Sequence, residues 1–131
     1  MPKLNLSPDV AALNPTLAQK GHTLLAAGDG YKSELERRFV REWILPQVNQ
    51  GMVATWWYEP ASFNLPGGRY TPDFLIQWAH RPHPLSFMEV KGWTKSLRAD
   101  HRAWTEASKT HRWASWCWVT FDNGWVEEWA K

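Results

Sequence analysis

The stretch YTPDFLIQWAHRPHPLSFMEVKG, Tyr70–Gly92, decides the reading of this chain. It holds two apolar runs, 70–78 and 86–92, around a loop rich in Pro and His. Both runs have the composition of strands. Residues two apart on a strand share a face, so Glu89 and Lys91 point one way and Met88 and Val90 the other. Asp73 opens the neighbouring strand within reach of the Glu89 face. Charged side chains are rarely buried unless they pair or bind metal. Two carboxylates converging on one point make a hard-oxygen site for magnesium or manganese. A lysine beside them positions a water or helps remove its proton, and offsets charge on a phosphate. A bound metal acidifies its water and neutralises a phosphodiester. That is equipment for hydrolysing a nucleic-acid backbone. The plainer alternative is an Asp at a strand start and a Glu–Lys surface pair on an edge strand. Pro-Asp and acid-x-Lys each arise by chance about once in a chain of this length, and Pro8-Asp9 is a second Pro-Asp with no strand after it.

Upstream, SELERRFVREWIL (33–45) predicts a helix. Ser33 followed three residues later by Glu36 matches a capping box, and Pro46 is expected to end the helix. At about 100° per residue, Leu35, Phe39, Val40, Trp43 and Ile44 form one apolar stripe. Glu36 falls within that stripe, and Glu34 falls opposite, near Arg37 and Arg41. Glu34 therefore reads as a solvated charge. Glu36 points inward, as a reciprocal cap, as a carboxylate aimed at a site, or as both.

The remaining chain predicts strands at 54–59 and 62–65, a hairpin turn in LPGGRY, a helix over 95–112, a central strand at 114–121 and, after DNG, a last strand WVEEW. The fold class expected is α/β with α+β character: a mixed central β-sheet flanked by helices. Residues 1–30 read as an arm or short helical preface, and 31–131 as the domain.

Bulk properties bound the function. A chain of 131 residues makes one domain with a real core. A net charge of +2 and a pI near 8.8 allow a basic face without proving one. Cys117 is the only cysteine, so neither a disulfide nor a Cys-based zinc site can form within the chain, and a reducing, cytoplasmic setting fits. No signal peptide or membrane span is read. Eleven tryptophans suggest a Trp-packed core, with a few left to stack on bases.

Together, YTPDFLI…FMEVKG and the helix YKSELERRF resemble the PD-(D/E)XK nuclease superfamily. With WYEP and LPGGRYTPDFLI they are most similar to the bacteriophage endonuclease I family, which are Holliday-junction resolvases. The resemblance covers about 31–92 well and 95–121 in outline. It implies a restriction-endonuclease-like core and a magnesium-dependent DNA endonuclease in which manganese substitutes. It implies metal binding by Asp73 and Glu89 with the carbonyl of Val90, a water-positioning Lys91, and Glu36 completing the site through a second ion or a water. It implies branched DNA as substrate and a homodimer. The chain departs from that family in its N-terminal arm, in a longer loop at 79–85 and in having no basic tail. Alternatives are a nuclease for nicked, mismatched or single-stranded DNA, and a non-catalytic nucleic-acid-binding or assembly module on the same fold.

A DNA substrate gives the 95–112 helix a role. Arg98, Arg102 and Lys109 fall within about 40° of one another, with Lys95 and Arg112 near the edges of the stripe. Such a stripe lies along phosphates or is simply a solvated face. Trp93, just after the motif lysine, is the tryptophan expected to touch DNA. His80, His83, His101 and His111 have no spacing that demands a metal site.

Overall fold

The computed structural model describes residues 30–92 and 97–131. The arm up to residue 29, Trp93 and Lys95 lie outside the described residues, as does the side chain of Arg98. Helix α1 (Glu34–Phe39) runs through a π-helical turn (Val40–Ile44) into α2 (Leu45–Asn49). Strand β1 (Val53–Tyr58), the short pair β2 (Phe63–Leu65) and β3 (Gly68–Tyr70), then β4 (Phe74–Trp78) and β5 (Leu85–Lys91) follow. Helix α3 (Leu97–Thr110) leads to β6 (Ser115–Phe121) and β7 (Trp125–Trp129).

Five strands form one mixed sheet in the order β1-β4-β5-β6-β7, and β2 and β3 form a separate hairpin. Pairing is antiparallel except between β5 and β6, which the crossover through α3 makes parallel. Each face of the sheet carries its own core. On one face Phe39, Val40, Trp43 and Ile44 cover Phe74, Ile76, Met88 and Val90. On the other, the hairpin and α3 bring Phe63, Trp104 and Ala107 against Leu75, Phe87 and Trp116. Burying each large apolar side chain contributes about 1.5–3 kcal/mol. Among the described residues seven tryptophans are buried, so packing accounts for most of this unusual content.

Two expectations about elements need correction. Pro46 does not end the first helix; it sits in the first turn of α2. The Leu45 N–H reaches back five residues to the Val40 carbonyl, so the turn ahead of Pro46 is wide. A π turn makes room for the ring where a regular α-helix would clash. The run 70–78 is also not one strand. Tyr70 ends β3, Pro72 carries no N–H for a ladder, and β4 begins only at Phe74. That break frees the Asp73 side chain from the regular pleat.

Candidate functional site

Asp73 and Glu89 meet because of strand register. Phe74 pairs with Met88, so the next positions along the same antiparallel register are 73 and 89. Directly opposed side chains approach within about 5 Å. Two like charges placed this way repel, and here both are buried: Asp73 is 8% exposed and Glu89 3%. Strand β5 is the middle strand of the sheet, which excludes the reading of Glu89 and Lys91 as a surface pair on an edge.

The two carboxyl groups lie close enough for each to act on the titration of the other. Burial pushes Asp73 well above the usual carboxylate range, and the charges of Glu89 and Glu36 push it further. The Val90 N–H donates to Asp73 Oδ2 at 2.8 Å and opposes the shift. Glu89 is also raised by burial, held back by the Tyr70 hydroxyl, which donates at 2.6 Å, and by Lys91. Without a cation the pair therefore favours holding a proton more than two separate carboxylates would. The Asp73 carbonyl accepts from Glu59 N–H at 2.7 Å, which ties this corner to the end of β1.

Lys91 Nζ lies 3.2 Å from Glu89 Oε2 and 3.1 Å from Asp100 Oδ2 on α3. Burial alone would lower its pKa, but the attraction of Glu89, Asp100 and Asp73 outweighs this and the net shift is upward. The arrangement favours the ammonium form of Lys91, a hydrogen-bond donor and a positive charge beside the two acids.

Glu36 points inward as the helix count predicts, with 6% exposure. Ser33 Oγ caps the helix by accepting from the Glu36 N–H at 3.1 Å. The reciprocal half of the capping box is different. The Glu36 carboxylate accepts from the Lys32 N–H and from the Tyr58 hydroxyl, both at 2.9 Å, through the same Oε1. Glu34 is a surface charge beside Arg37 and Arg41.

Several participants carry no obvious signal. Tyr58 and Tyr70 hold Glu36 and Glu89, and Asp100 holds Lys91. Lys32 pairs with Glu59 at 2.7 Å beside the same acids, and Glu59 adopts a left-handed φ of 47°. Tyr70 opens the motif stretch, so its place in the sequence was the one available hint. Of the expected DNA contacts, Arg102 and Lys109 are exposed on α3, while Trp104 and Ala107 of the same helix are buried. His80 and His83 are exposed in the turn between β4 and β5.

Among the described residues no three His, Cys, Asp or Glu side chains form a ready metal cluster. The donors that do meet are two carboxylates. The Val90 N–H faces Asp73, and an extended residue presents its C=O on the same strand edge as its N–H, which adds a carbonyl oxygen. This hard-oxygen pair, short of positive charge, suits magnesium, an ion that uses one or two carboxylates and keeps several waters. No helix of the described residues is long and apolar enough to cross a membrane. No family model, curated protein or solved structure matches the chain.

Proposed function

We propose that this protein is a magnesium-dependent DNA endonuclease selective for branched DNA, with manganese able to substitute. The observation that carries this reading is the opposed, buried Asp73–Glu89 pair with Lys91 bound to it at the centre of the sheet. Such a pair costs stability unless a cation serves it. The order of a helix, an antiparallel β1-β4-β5 set, a crossover helix and a parallel strand accords with the restriction-endonuclease-like core that the sequence resembles.

Asp73, Glu89 and the Val90 carbonyl are the groups that would hold the ion, with Glu36 serving a second ion or its water. When bound, magnesium supplies an acidified water and relief of phosphate charge. The chain's own residues do the rest. Tyr70 and Lys91 favour the ionised form of Glu89 and orient it. Lys91 donates to the attacking water and faces the anionic phosphate. Asp100 fixes the ammonium in place. Exposed Arg102 and Lys109 offer charge to the flanking backbone. Resolving a four-way junction takes two cuts, so the reading includes a homodimer.

A cleavage panel with magnesium tests it, using a four-way junction, a fork, a nicked duplex, a linear duplex and a single strand. Metal-dependent cutting, fastest on the junction, is expected. Cutting of another member first would reassign the substrate, and no cutting of any member would remove the enzyme reading.

A further inference from the structure

Between the β2–β3 hairpin and α3 lies a cavity of about 370 Å³ that the catalytic reading leaves unused. Its volume falls within the range of pockets that bind small ligands. Leu65 and Pro66 line its hairpin side, and Ala99 and Ala103 keep the helix side open by their small size. Arg69 on β3 and Arg102 on α3 stand on its two walls, both exposed. Neither has an ion-pair partner among the described residues, where Arg37, Arg38, Arg41, Lys32 and Lys91 all do. Added Cβ atoms at Gly67 and Gly68 would meet nothing within 4 Å, so the hairpin tip leaves the entrance clear.

Tyr70 connects this cavity to the acids. It lines the cavity and its hydroxyl donates to Glu89 at 2.6 Å. Tyr70 therefore joins the wall of the cavity to the carboxylate pair. A ligand here carries anionic groups for two unpaired guanidiniums and a flat, largely apolar body for the space between them. Guanidinium planes also stack on bases, and Glu106 on the wall supplies an acceptor for an exocyclic amine.

We infer that this cavity receives one unpaired deoxynucleotide flanking the bond to be cut, with Arg69 and Arg102 on its phosphates and its base between hairpin and helix. The inference rests on the nuclease reading and deepens it. A paired base is stacked in the duplex and must be extruded before it can enter, whereas a base at a bulge or junction is already free. The cavity thus gives the fold a means of preferring branched or distorted DNA without reading sequence.

The test measures binding in EDTA, so that no cleavage intervenes, by fluorescence anisotropy on three duplexes: fully paired, with a one-nucleotide bulge, and with the same bulge lacking its base. The wild-type chain is expected to bind the bulge at least tenfold tighter than the paired and abasic duplexes. Ala99→Phe, an exposed position where a larger side chain leaves the core intact, should bring that preference within twofold and leave paired-duplex binding unchanged. Arg69→Ala should weaken bulge binding severalfold more than paired binding. Equal binding of the bulged and abasic duplexes by the wild type, or a preference that survives Ala99→Phe, overturns the inference. Preference without cleavage in magnesium would refute only the nuclease reading, and cleavage without preference only the cavity's role.

Discussion

The backbone N–H of Val90 points at the carboxylate of Asp73, 2.8 Å away, where a neighbouring strand would ordinarily supply the partner. Asp73 thereby closes the frayed end of the β4–β5 ladder and meets Glu89 at the same time. Asp73→Asn keeps an acceptor for Val90 but removes the charge. Cleavage is expected to fall at least a hundredfold, about 2.7 kcal/mol in the barrier. DNA binding should persist in calcium, because the phosphate contacts are untouched. A wild-type single-turnover rate in Asp73→Asn would refute the assignment.

The same carboxyl gives a pH signature to stability. Burial holds the folded-state pKa of Asp73 above its unfolded value of about 3.9. Between those two values the native state keeps a proton that the unfolded chain has released, so stability falls as pH rises through that interval. In EDTA the wild-type urea midpoint should decline as pH climbs from about 4 toward neutrality, and Asp73→Asn should flatten that decline. Magnesium, binding the ionised pair, should restore stability most at the higher pH. An identical pH dependence in the two proteins would show that Asp73 is not the buried proton carrier.

Tyr70→Phe isolates one hydrogen bond. The hydroxyl favours ionised Glu89, so its loss raises the Glu89 pKa further. The acid limb of the cleavage profile should then move to higher pH, and half-saturation should need more magnesium. A hydrogen bond to a charged group contributes about 1.5–3 kcal/mol, so a lower melting temperature should accompany the shift. A profile that stays in place while the melting temperature falls would limit Tyr70 to packing.

Local signals explain what was legible. The strand expected at WVEEW after DNG matches β7, and the 3.6-residue count placed Glu36 inward and Glu34 outward. Pro72 was itself a warning that 70–78 contains a break, but the apolar residues on both sides outweighed it. The π turn was not legible, because it depends on how Val40, Trp43 and Ile44 seat on the sheet, and a single Pro46 cannot report that. Nor were the partners of the charged groups. Tyr70 and Glu89 are 19 residues apart, and Asp100 reaches Lys91 from another layer. Only the register of β4 on β5 and the docking of α3 bring them together.

Helix α3 makes a prediction about salt. Arg102 and Lys109 are exposed, and neither forms an ion pair among the described residues. Changing both to Ala should weaken binding and reduce the slope of log K against log salt by about 1.8, at 0.9 per lost phosphate contact. Titrations of a four-way junction between 50 and 200 mM salt, on the order of the range where such slopes are read, measure it. An unchanged slope would return this helix to an ordinary solvated face.

The two glutamates of SELE separate capping from chemistry. Both lie in the first turn of α1, where each gains about 0.3–1 kcal/mol from the helix dipole. Stability alone therefore cannot distinguish them. Their surroundings do: Glu34 faces Arg37 and Arg41 at the surface, while Glu36 is buried against Tyr58 and its charge acts on Asp73. Glu36→Gln keeps an oxygen that can accept from Tyr58 and the Lys32 N–H, so the melting temperature should change little. It removes a negative charge beside the acid pair, and cleavage should fall at least tenfold, about 1.4 kcal/mol. Glu34→Gln should stay within twofold of wild type. Single-turnover cleavage at saturating magnesium is the measurement, with the melting temperature as control. If the two variants cut equally fast, Glu36 is a structural ligand of Tyr58 and Lys32, and the helix contributes position to the site but no chemistry.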